Sequence, residues 1–142
     1  MSATSIVVPL LVFEAADCLM AVPACEVAHL EPSAKRFLDP FPQGGSEKGP
    51  RSRSAEPAFD IGEYFTGHES DGPWLHWARG ARSAWLRVRS VVDVVPIALS
   101  GLTPMPTLLR GQPRTRAFLA SGVRGDDVFL LLDPARLSWE RA

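Results

Sequence analysis

A predicted hairpin whose second strand is buried constrains the fold of this chain more than any other stretch. Segments 117–123 and 128–132 are apolar and strand-like, and the residues between them (124–127, RGDD) include the glycine and aspartates that tight turns favour. The second segment, VFLLL, is apolar on both faces, which indicates a central strand covered on both sides. Asp133 and Pro134 then predict the N-cap and first position of a short helix. The rest of the chain must supply partners for this strand.

The composition limits the classes of ligand and of compartment. The net charge is −1 over 142 residues, which gives no indication of nucleic-acid binding or of attraction to an acidic membrane surface. Cys18 and Cys25 lie in one apolar segment without a CxxC motif, so we interpret both as small buried hydrophobes. No basic residues precede the first apolar run, and acidic residues interrupt the segment after it. We therefore expect no signal peptide and no insertion into a membrane. We expect one cytoplasmic domain spanning residues 1–142.

Short strands joined by turns are predicted in the first part of the chain. The 13 prolines and 11 glycines argue against long helices. Segments 5–15 and 18–23 predict a hairpin with its turn at 16–17, and Pro9 indicates either an edge position or a late start of the first strand. A short helix over 23–30 is the alternative to continued extended structure.

The later segments continue this pattern. Segment 58–65 predicts a strand leading into one helical turn, and 74–78 predicts a strand followed by a turn at 79–82. Segment 83–95 predicts one strand with a bulge or bend near Ser90, where the alternation changes phase. About eight or nine short strands with little helix are typical of barrels or sandwiches.

The polar stretch 42–57 interrupts the strands. Besides prolines and glycines it contains a single apolar residue, Ala55, so it cannot bury enough surface to offset its ordering entropy. We interpret 43–56 as a mobile loop within the fold. The alternative is a basic recognition tail, but glutamates dilute its charge; its cations are Lys48, Arg51 and Arg53.

No catalytic or metal-binding constellation is evident in the sequence. The histidines and the polar groups nearest to them lack the spacing of a ligand pair with a third ligand nearby; they are His29, His68, His76, Cys25, Glu69 and Asp71. We therefore expect no enzymatic activity, no metal and no cofactor, and a binding or scaffold role. The alternative is a small β-barrel enzyme or ligand-binding domain whose site contains Trp74, His76 and Trp85.

Four stretches, taken in order, resemble the CheW family, the adaptors that couple chemoreceptors to a histidine kinase. The family has an opening hairpin, a Pro-Val-x-Asp-Leu motif, a Val-Asp-x-Val-x-x-Val strand followed by prolines, and a closing hairpin. The corresponding stretches here are LLVFEAADCLMAVPACEVAHL (10–30), PAFDI (57–61), LRVRSVVDVVPI (86–97) followed by LTPMP, and GVRGDDVFLLLDPARL (122–137).

The resemblance implies an all-β fold of two small five-stranded SH3-like barrels packed together, with a short C-terminal helix. It implies a chemotaxis scaffold of two-component signal transduction, without catalysis. The implied partners are the cytoplasmic tip of a methyl-accepting chemoreceptor and the regulatory domain of a CheA-type histidine kinase, or another CheW-like protein. Apolar residues in the matching stretches are expected to line a receptor-binding groove between the barrels: Val27, Leu30, Val88 and Val91.

One departure from the family pattern bears on the kinase. The stretch GPRSRSAE (49–56) stands where the family has an apolar strand and an Asn-Leu-Arg-Gly turn in the first barrel. We therefore expect weakened kinase binding and assign no kinase-binding residues.

Overall fold

The computed structural model describes residues 6–31, 56–106, 108 and 115–137, and these form two β-sheets with little helix. The strands in these ranges are β1 (Val7–Ala15), β2 (Cys18–Pro23), β3 (Val27–Glu31), β4 (Ala58–Asp60), β5 (Trp74–Arg79), β6 (Arg82–Arg87), β7 (Ser90–Ala98), β8 (Thr103–Pro104), β9 (Phe118–Arg124) and β10 (Asp127–Leu132). They are accompanied by one α-helix, α1 (Ile61–Thr66), and by 3-10 turns at Ala24–Glu26, Leu99–Gly101 and Pro134–Arg136. No helix in the described ranges has the length and apolar character needed to cross a bilayer.

The six-stranded sheet has the order β7-β1-β2-β10-β9-β8. The predicted hairpins β1–β2 and β9–β10 are both confirmed. Ala16 and Asp17 both have positive φ, of 52° and 63°, as a tight two-residue turn between twisted strands requires. β10 is central as predicted, because it pairs antiparallel with β9 and parallel with β2.

Both faces of this sheet are apolar. Phe129 and Leu131 of β10 belong to a core formed within the six-stranded sheet alone, whereas Leu130 and Leu132 pack in the main core between the two sheets. The ion pair between Asp93 of β7 and Arg124 of β9, at 3.8 Å, joins strands that are not neighbours in the sheet order. The sheet is therefore curled around its own core.

The four-stranded sheet has the order β3-β5-β6-β4. Leu75 of β5 and Leu86 of β6 face the main core and are fully buried. Asp60 ends β4 and caps α1 by accepting a hydrogen bond from the Glu63 amide at 3.1 Å. The predicted strand and helical turn over 58–65 are thus confirmed.

The capped turn predicted after β10 is also present. Asp133 caps the turn Pro134–Arg136, and its side chain accepts from the Ala135 amide at 3.1 Å. The turn has 3-10 geometry, and Pro134 occupies its first position, as expected.

Three expectations are wrong. β6 ends at Arg87 and β7 begins at Ser90 in the other sheet, so 83–95 is two strands rather than one bent strand. β1 has a partner on each side and is not an edge strand; Pro9 is accommodated opposite Pro96, while pairing with β2 begins at Leu10. Cys25 is exposed rather than buried.

Two expectations stay predictions. The mobile loop 43–56 falls outside the described residues except for Glu56. The described strands divide six and four between the sheets, and the division into two five-stranded barrels is not established in detail.

Candidate partner-binding surfaces

One end of the interface between the sheets is fixed by a charged cluster around Arg79. Glu26 accepts from the Trp77 indole N–H at 2.8 Å and from Arg79 Nε at 3.0 Å. Arg79 Nη2 also lies 3.2 Å from a carboxylate oxygen of Asp133, at the end of β10. The hydrogen bonds to Glu26 and the charge of Asp133 raise the pKa of Arg79 against the opposing effect of burial. This cluster connects β5 to the six-stranded sheet.

A cleft of about 400 Å³ opens beside this cluster, between the four-stranded sheet and the turn after β10. Phe59 and Trp77 supply aromatic surface to it, and Ser83 and Glu56 supply polar groups. Arg82 connects the two sides, because its Nη2 donates to the Ala135 carbonyl at 3.1 Å. The cleft is therefore a mixed polar and apolar surface between two sheets.

Glu56 has three hydrogen-bonding partners at this surface. Its Oε2 lies 2.7 Å from both the Ser83 hydroxyl and His76 Nε2, and its Oε1 accepts from the Trp85 indole at 3.0 Å. Burial raises the pKa of Glu56, but the hydrogen bonds from Ser83 and His76 outweigh it, so the pKa lies below its ordinary value. Glu56 thereby fixes the chain entering β4 against β5 and β6.

The same three side chains do not form a nucleophilic triad. In such a triad the histidine lies between the hydroxyl and the carboxylate, so that it can take the hydroxyl proton. Here Ser83 and His76 both contact one oxygen of Glu56, so the serine hydroxyl donates to the acid itself and not to the histidine. The geometry supports positioning rather than acyl transfer.

Two histidines flank Trp85 on the face of the four-stranded sheet that points away from the main core. The His76 ring stacks on the indole with centroids 4.5 Å apart, and the His29 ring meets it edge-on at 6.1 Å. Trp74 has the same orientation along β5 but is only 5% exposed. Trp74, His76 and Trp85, the residues of the alternative ligand-binding or enzymatic site, thus share a face, and His76 contacts Trp85. No group of three metal-ligating side chains occurs in the described ranges.

Three of the four residues predicted for receptor binding, Val27, Val88 and Val91, pack in or against the main core, and Leu30 is not part of that cluster. Val27 and Leu30 lie on β3, at the edge of the four-stranded sheet among the described strands. Val27 is half-buried opposite Trp77, and Leu30 is 44% exposed. Val91 lies in the other sheet, half-buried against the main core.

Val88 requires a correction. Its side chain is fully buried in the main core at the crossing between the sheets, where its amide donates to the Pro73 carbonyl at 3.0 Å. Val88 is therefore a core residue and offers no surface to a partner. None of the four predicted residues lines the cleft.

Sequence reasoning missed the Glu56 network and the Arg79 cluster. Glu56 reaches partners 20 to 29 residues away, and Arg79 pairs with Glu26 across 53 residues. No local spacing rule covers such separations. The one available signal is that His76, Ser83 and Trp85 occupy same-face positions of a predicted hairpin.

Comparisons with known proteins identify the fold. No family model and no curated protein matches the sequence. Among solved structures, the chain is similar to the crystal structure of the scaffolding protein TtCheW from Thermoanaerobacter tengcongensis, with a TM-score of 0.63 and 19% identity over 89% of each chain. More than half of the described residues lie in the strands of two sheets, and there is little helix among them. The chain therefore has a CheW-like, all-β fold.

Proposed function

We propose that this protein is a non-enzymatic chemosensory adaptor of the cytoplasm that couples chemoreceptors to a histidine kinase. The observation that carries the proposal is the likeness to a scaffolding protein over 89% of both chains. Support also comes from the Glu56 network, in which the candidate nucleophile and base are both held by one carboxylate. The likeness of fold supports the scaffold role, and the partner has to be inferred from the residues at the surface.

The receptor contact is assigned to the edge strand β3, with Leu30 at its centre. Leu30 stands opposite the fully buried Leu75, yet it remains 44% exposed because β3 is the outermost described strand. An accessible leucine beside the half-buried Val27 can pack against the apolar face of a helical receptor tip, and such apolar anchors supply most of the affinity of helix-binding grooves. Val91 stays a candidate at the groove, and Val88 is removed from it.

Kinase binding is proposed to be weak, because the family's apolar strand and turn are replaced by GPRSRSAE at 49–56. The partner on that side is the regulatory domain of a CheA-type kinase or another CheW-like protein. No residue is assigned to this contact.

Titration of a fluorescent receptor-tip fragment tests the receptor assignment. Leu30→Glu should weaken binding by at least about tenfold, the effect of losing one apolar anchor of about 1.4 kcal/mol or more. Val128→Glu is the matched control, since Val128 is 61% exposed on the other sheet and should leave the affinity within about twofold. Circular dichroism checks that both variants are folded.

Each outcome of this titration has a defined meaning. Equal affinity of folded Leu30→Glu and wild type would remove β3 from the receptor contact. No measurable binding of wild type to the receptor tip would contradict the adaptor role itself. Parallel titration with the kinase regulatory domain should show affinity at least about tenfold weaker than for the receptor tip. Tight kinase binding would contradict the proposed weakening.

A ligand-binding domain is the second candidate function, because the cleft of about 400 Å³ has the size of small-molecule sites. Phe59 and Trp77 would pack against an apolar portion of the ligand, and Glu56 would orient its polar portion. Thermal-shift screening against a metabolite library distinguishes the ligand-binding function from the adaptor function. A ligand that stabilises wild type but not Ala81→Trp, a substitution at an exposed position that lines the cleft, would favour this second function.

A further inference from the structure

Arg87 is a nearly buried cation with few compensating contacts. The residue is 8% exposed and lies at the end of β6, on the same face as Trp74. Its Nε donates to the Gly72 carbonyl at a long 3.3 Å, and its guanidinium lies 5.8 Å from the centre of the Trp74 ring. Among the described residues, no carboxylate is within ion-pairing distance of it.

Arg79, at the other end of the same sheet, has the carboxylate partners that Arg87 lacks among the described residues. Its side chain is 43% exposed, yet it pairs with the carboxylates of both Glu26 and Asp133. The more buried of the two arginines therefore has the weaker electrostatic compensation. Removing a charge from water is costly unless an opposite charge is close and well oriented, and one long hydrogen bond with a distant cation–π contact falls short of that.

The guanidinium still has an opening to solvent. Its two Nη nitrogens make no hydrogen bond within the described part of the chain, and neither is among the enclosed side-chain atoms that lack a partner. Neither nitrogen is therefore fully enclosed, and both have donors available on the edge of a planar fork. Such a fork matches the two oxygens of a carboxylate, which accepts two parallel hydrogen bonds from it.

We propose that Arg87, with Trp74 beside it, is the anchor of a carboxylate-binding subsite that receives an Asp or Glu side chain of a protein partner. The subsite goes beyond the adaptor function and does not depend on the β3 contact. A carboxylate that reaches the Nη nitrogens replaces solvent there with an opposite charge, and it supplies the pairing that Arg79 already has within the chain.

The surrounding charges favour a carboxylate over a phosphate. Asp60 stands in register with Arg87 on the neighbouring strand, and Asp71 precedes Gly72 in the adjoining loop. Both oxygens of Asp60 already accept from the Ser70 amide, at 3.0 and 2.9 Å, so Asp60 is turned toward that loop. One cation beside two acidic residues suits a singly charged anion better than a dianion, because like charges repel.

Arginine side-chain NMR of the full chain tests the subsite. The probe is N-acetyl-glutamate amide, titrated against its uncharged isostere N-acetyl-glutamine amide at constant ionic strength. The Nε–H signal of Arg87, assigned through its proximity to the Trp74 ring, should shift saturably with the glutamate probe alone. The Nε–H signal of Arg79 should stay unchanged, since that group is already paired with Glu26.

Variants separate the role of the fork from that of charge. Arg87→Gln should abolish the saturable response of the Trp74 indole signal, and Arg87→Lys should weaken it by about tenfold, because lysine keeps the charge but loses the planar fork. Arg89→Gln, at an exposed neighbouring position, should bind as wild type does. Should Arg87→Gln fail to fold, the wild-type titration and Arg87→Lys still decide the question.

Three results would overturn the proposal. A wild-type response that is linear, or equal for the two probes, would mean that Arg87 binds no carboxylate. Equal binding by wild type and folded Arg87→Gln would place the response elsewhere. Tighter saturable binding of inorganic phosphate than of the glutamate probe would replace the carboxylate with a phosphate as the ligand.

Discussion

The two sheets differ in the polarity of the side chains on their two faces. In the six-stranded sheet, the side chains of β10 alternate between two cores, so both faces are apolar. The four-stranded sheet buries leucines on one face and places histidines, tryptophans, a serine and an arginine on the other; these are His29, Trp74, His76, Ser83, Trp85 and Arg87. Residues 129–132 of β10 are used for packing on both faces, whereas the four-stranded sheet has one face with polar chemistry.

This difference separates stability from recognition in the molecule. Residues 129–132 of β10 contribute to two cores and are used for packing within the chain. The polar face of the four-stranded sheet carries the Glu56 network and Arg87, and its edge carries Leu30. Substitutions in the two cores should therefore have the larger effect on the free energy of unfolding, whereas those on the polar face should have a smaller effect on it and should also change binding or pH dependence.

The largest expected effect lies where the two sheets are joined. A Cβ atom on Gly72 would come within 2.0 Å of the Arg89 carbonyl oxygen and 2.4 Å of that of Val88, and both are backbone atoms that cannot turn aside. Gly72→Ala should therefore cost more than about 4 kcal/mol or prevent folding. Urea unfolding monitored by tryptophan fluorescence measures the loss.

Gly101→Ala is the matched control for this prediction. No heavy atom lies within 4 Å of the position that a Cβ would take there, so the free energy of unfolding should change by no more than about 0.5 kcal/mol. Near-wild-type stability of Gly72→Ala would show that the loop before β5 can move away from the backbone of Val88 and Arg89. The connection between the two sheets would then not be rigid at this point.

The next effect tests whether both faces of β10 are core. Phe129 and Leu132 are 0% and 1% exposed, and they belong to different cores. Phe129→Ala should cost about 3–5 kcal/mol and Leu132→Ala about 2–5 kcal/mol by urea unfolding. Val128→Ala, at a 61% exposed position, should cost less than about 1 kcal/mol. A small loss for either buried residue would mean that its face is not a core.

Those parts of the fold that rest on local signals were predictable from the sequence. The VFLLL run predicts a strand covered on both faces, residues 16–17 predict a turn, and Asp133 followed by Pro134 predicts a short capped helix, which forms as a 3-10 turn. Each signal is contained in neighbouring residues, and the structure bears each one out.

The remaining parts depend on contacts that no local pattern carries. The chain leaves β6 at Val88 because the Val88 amide bonds the Pro73 carbonyl and Gly72 packs against Arg89, whereas the alternation of side chains alone suggested one continuous strand. Val88 was assigned to a partner surface because apolar character does not distinguish a core residue from a docking residue. Burial separates the two, and burial is a property of the tertiary structure.

The smallest expected effect concerns Glu56, which ties the polar face to the chain entering β4. Glu56→Gln keeps the shape of the side chain but removes the charge that accepts from Ser83, His76 and Trp85. At pH 7 the substitution should lower the free energy of unfolding by about 1.5–3 kcal/mol, the range for hydrogen bonds to a charged group. Glu69→Gln, at an exposed loop position, is the matched control and should change it by no more than about 0.5 kcal/mol.

The pH dependence of this loss sharpens the comparison further. Because the hydrogen bonds hold the pKa of Glu56 below its ordinary 4.5, the folded chain keeps the carboxylate ionised where the unfolded chain begins to take up a proton. The stabilisation is then complete above about pH 5.5 and disappears as the pH falls below about 4.5 through the lowered pKa of the folded state. Wild type should lose stability more steeply than Glu56→Gln in that window, and the two curves should converge at lower pH. Parallel curves from about pH 7 to about pH 3 would mean that Glu56 titrates alike in the folded and unfolded chains, and that the polar face is not held together by its ionised carboxylate.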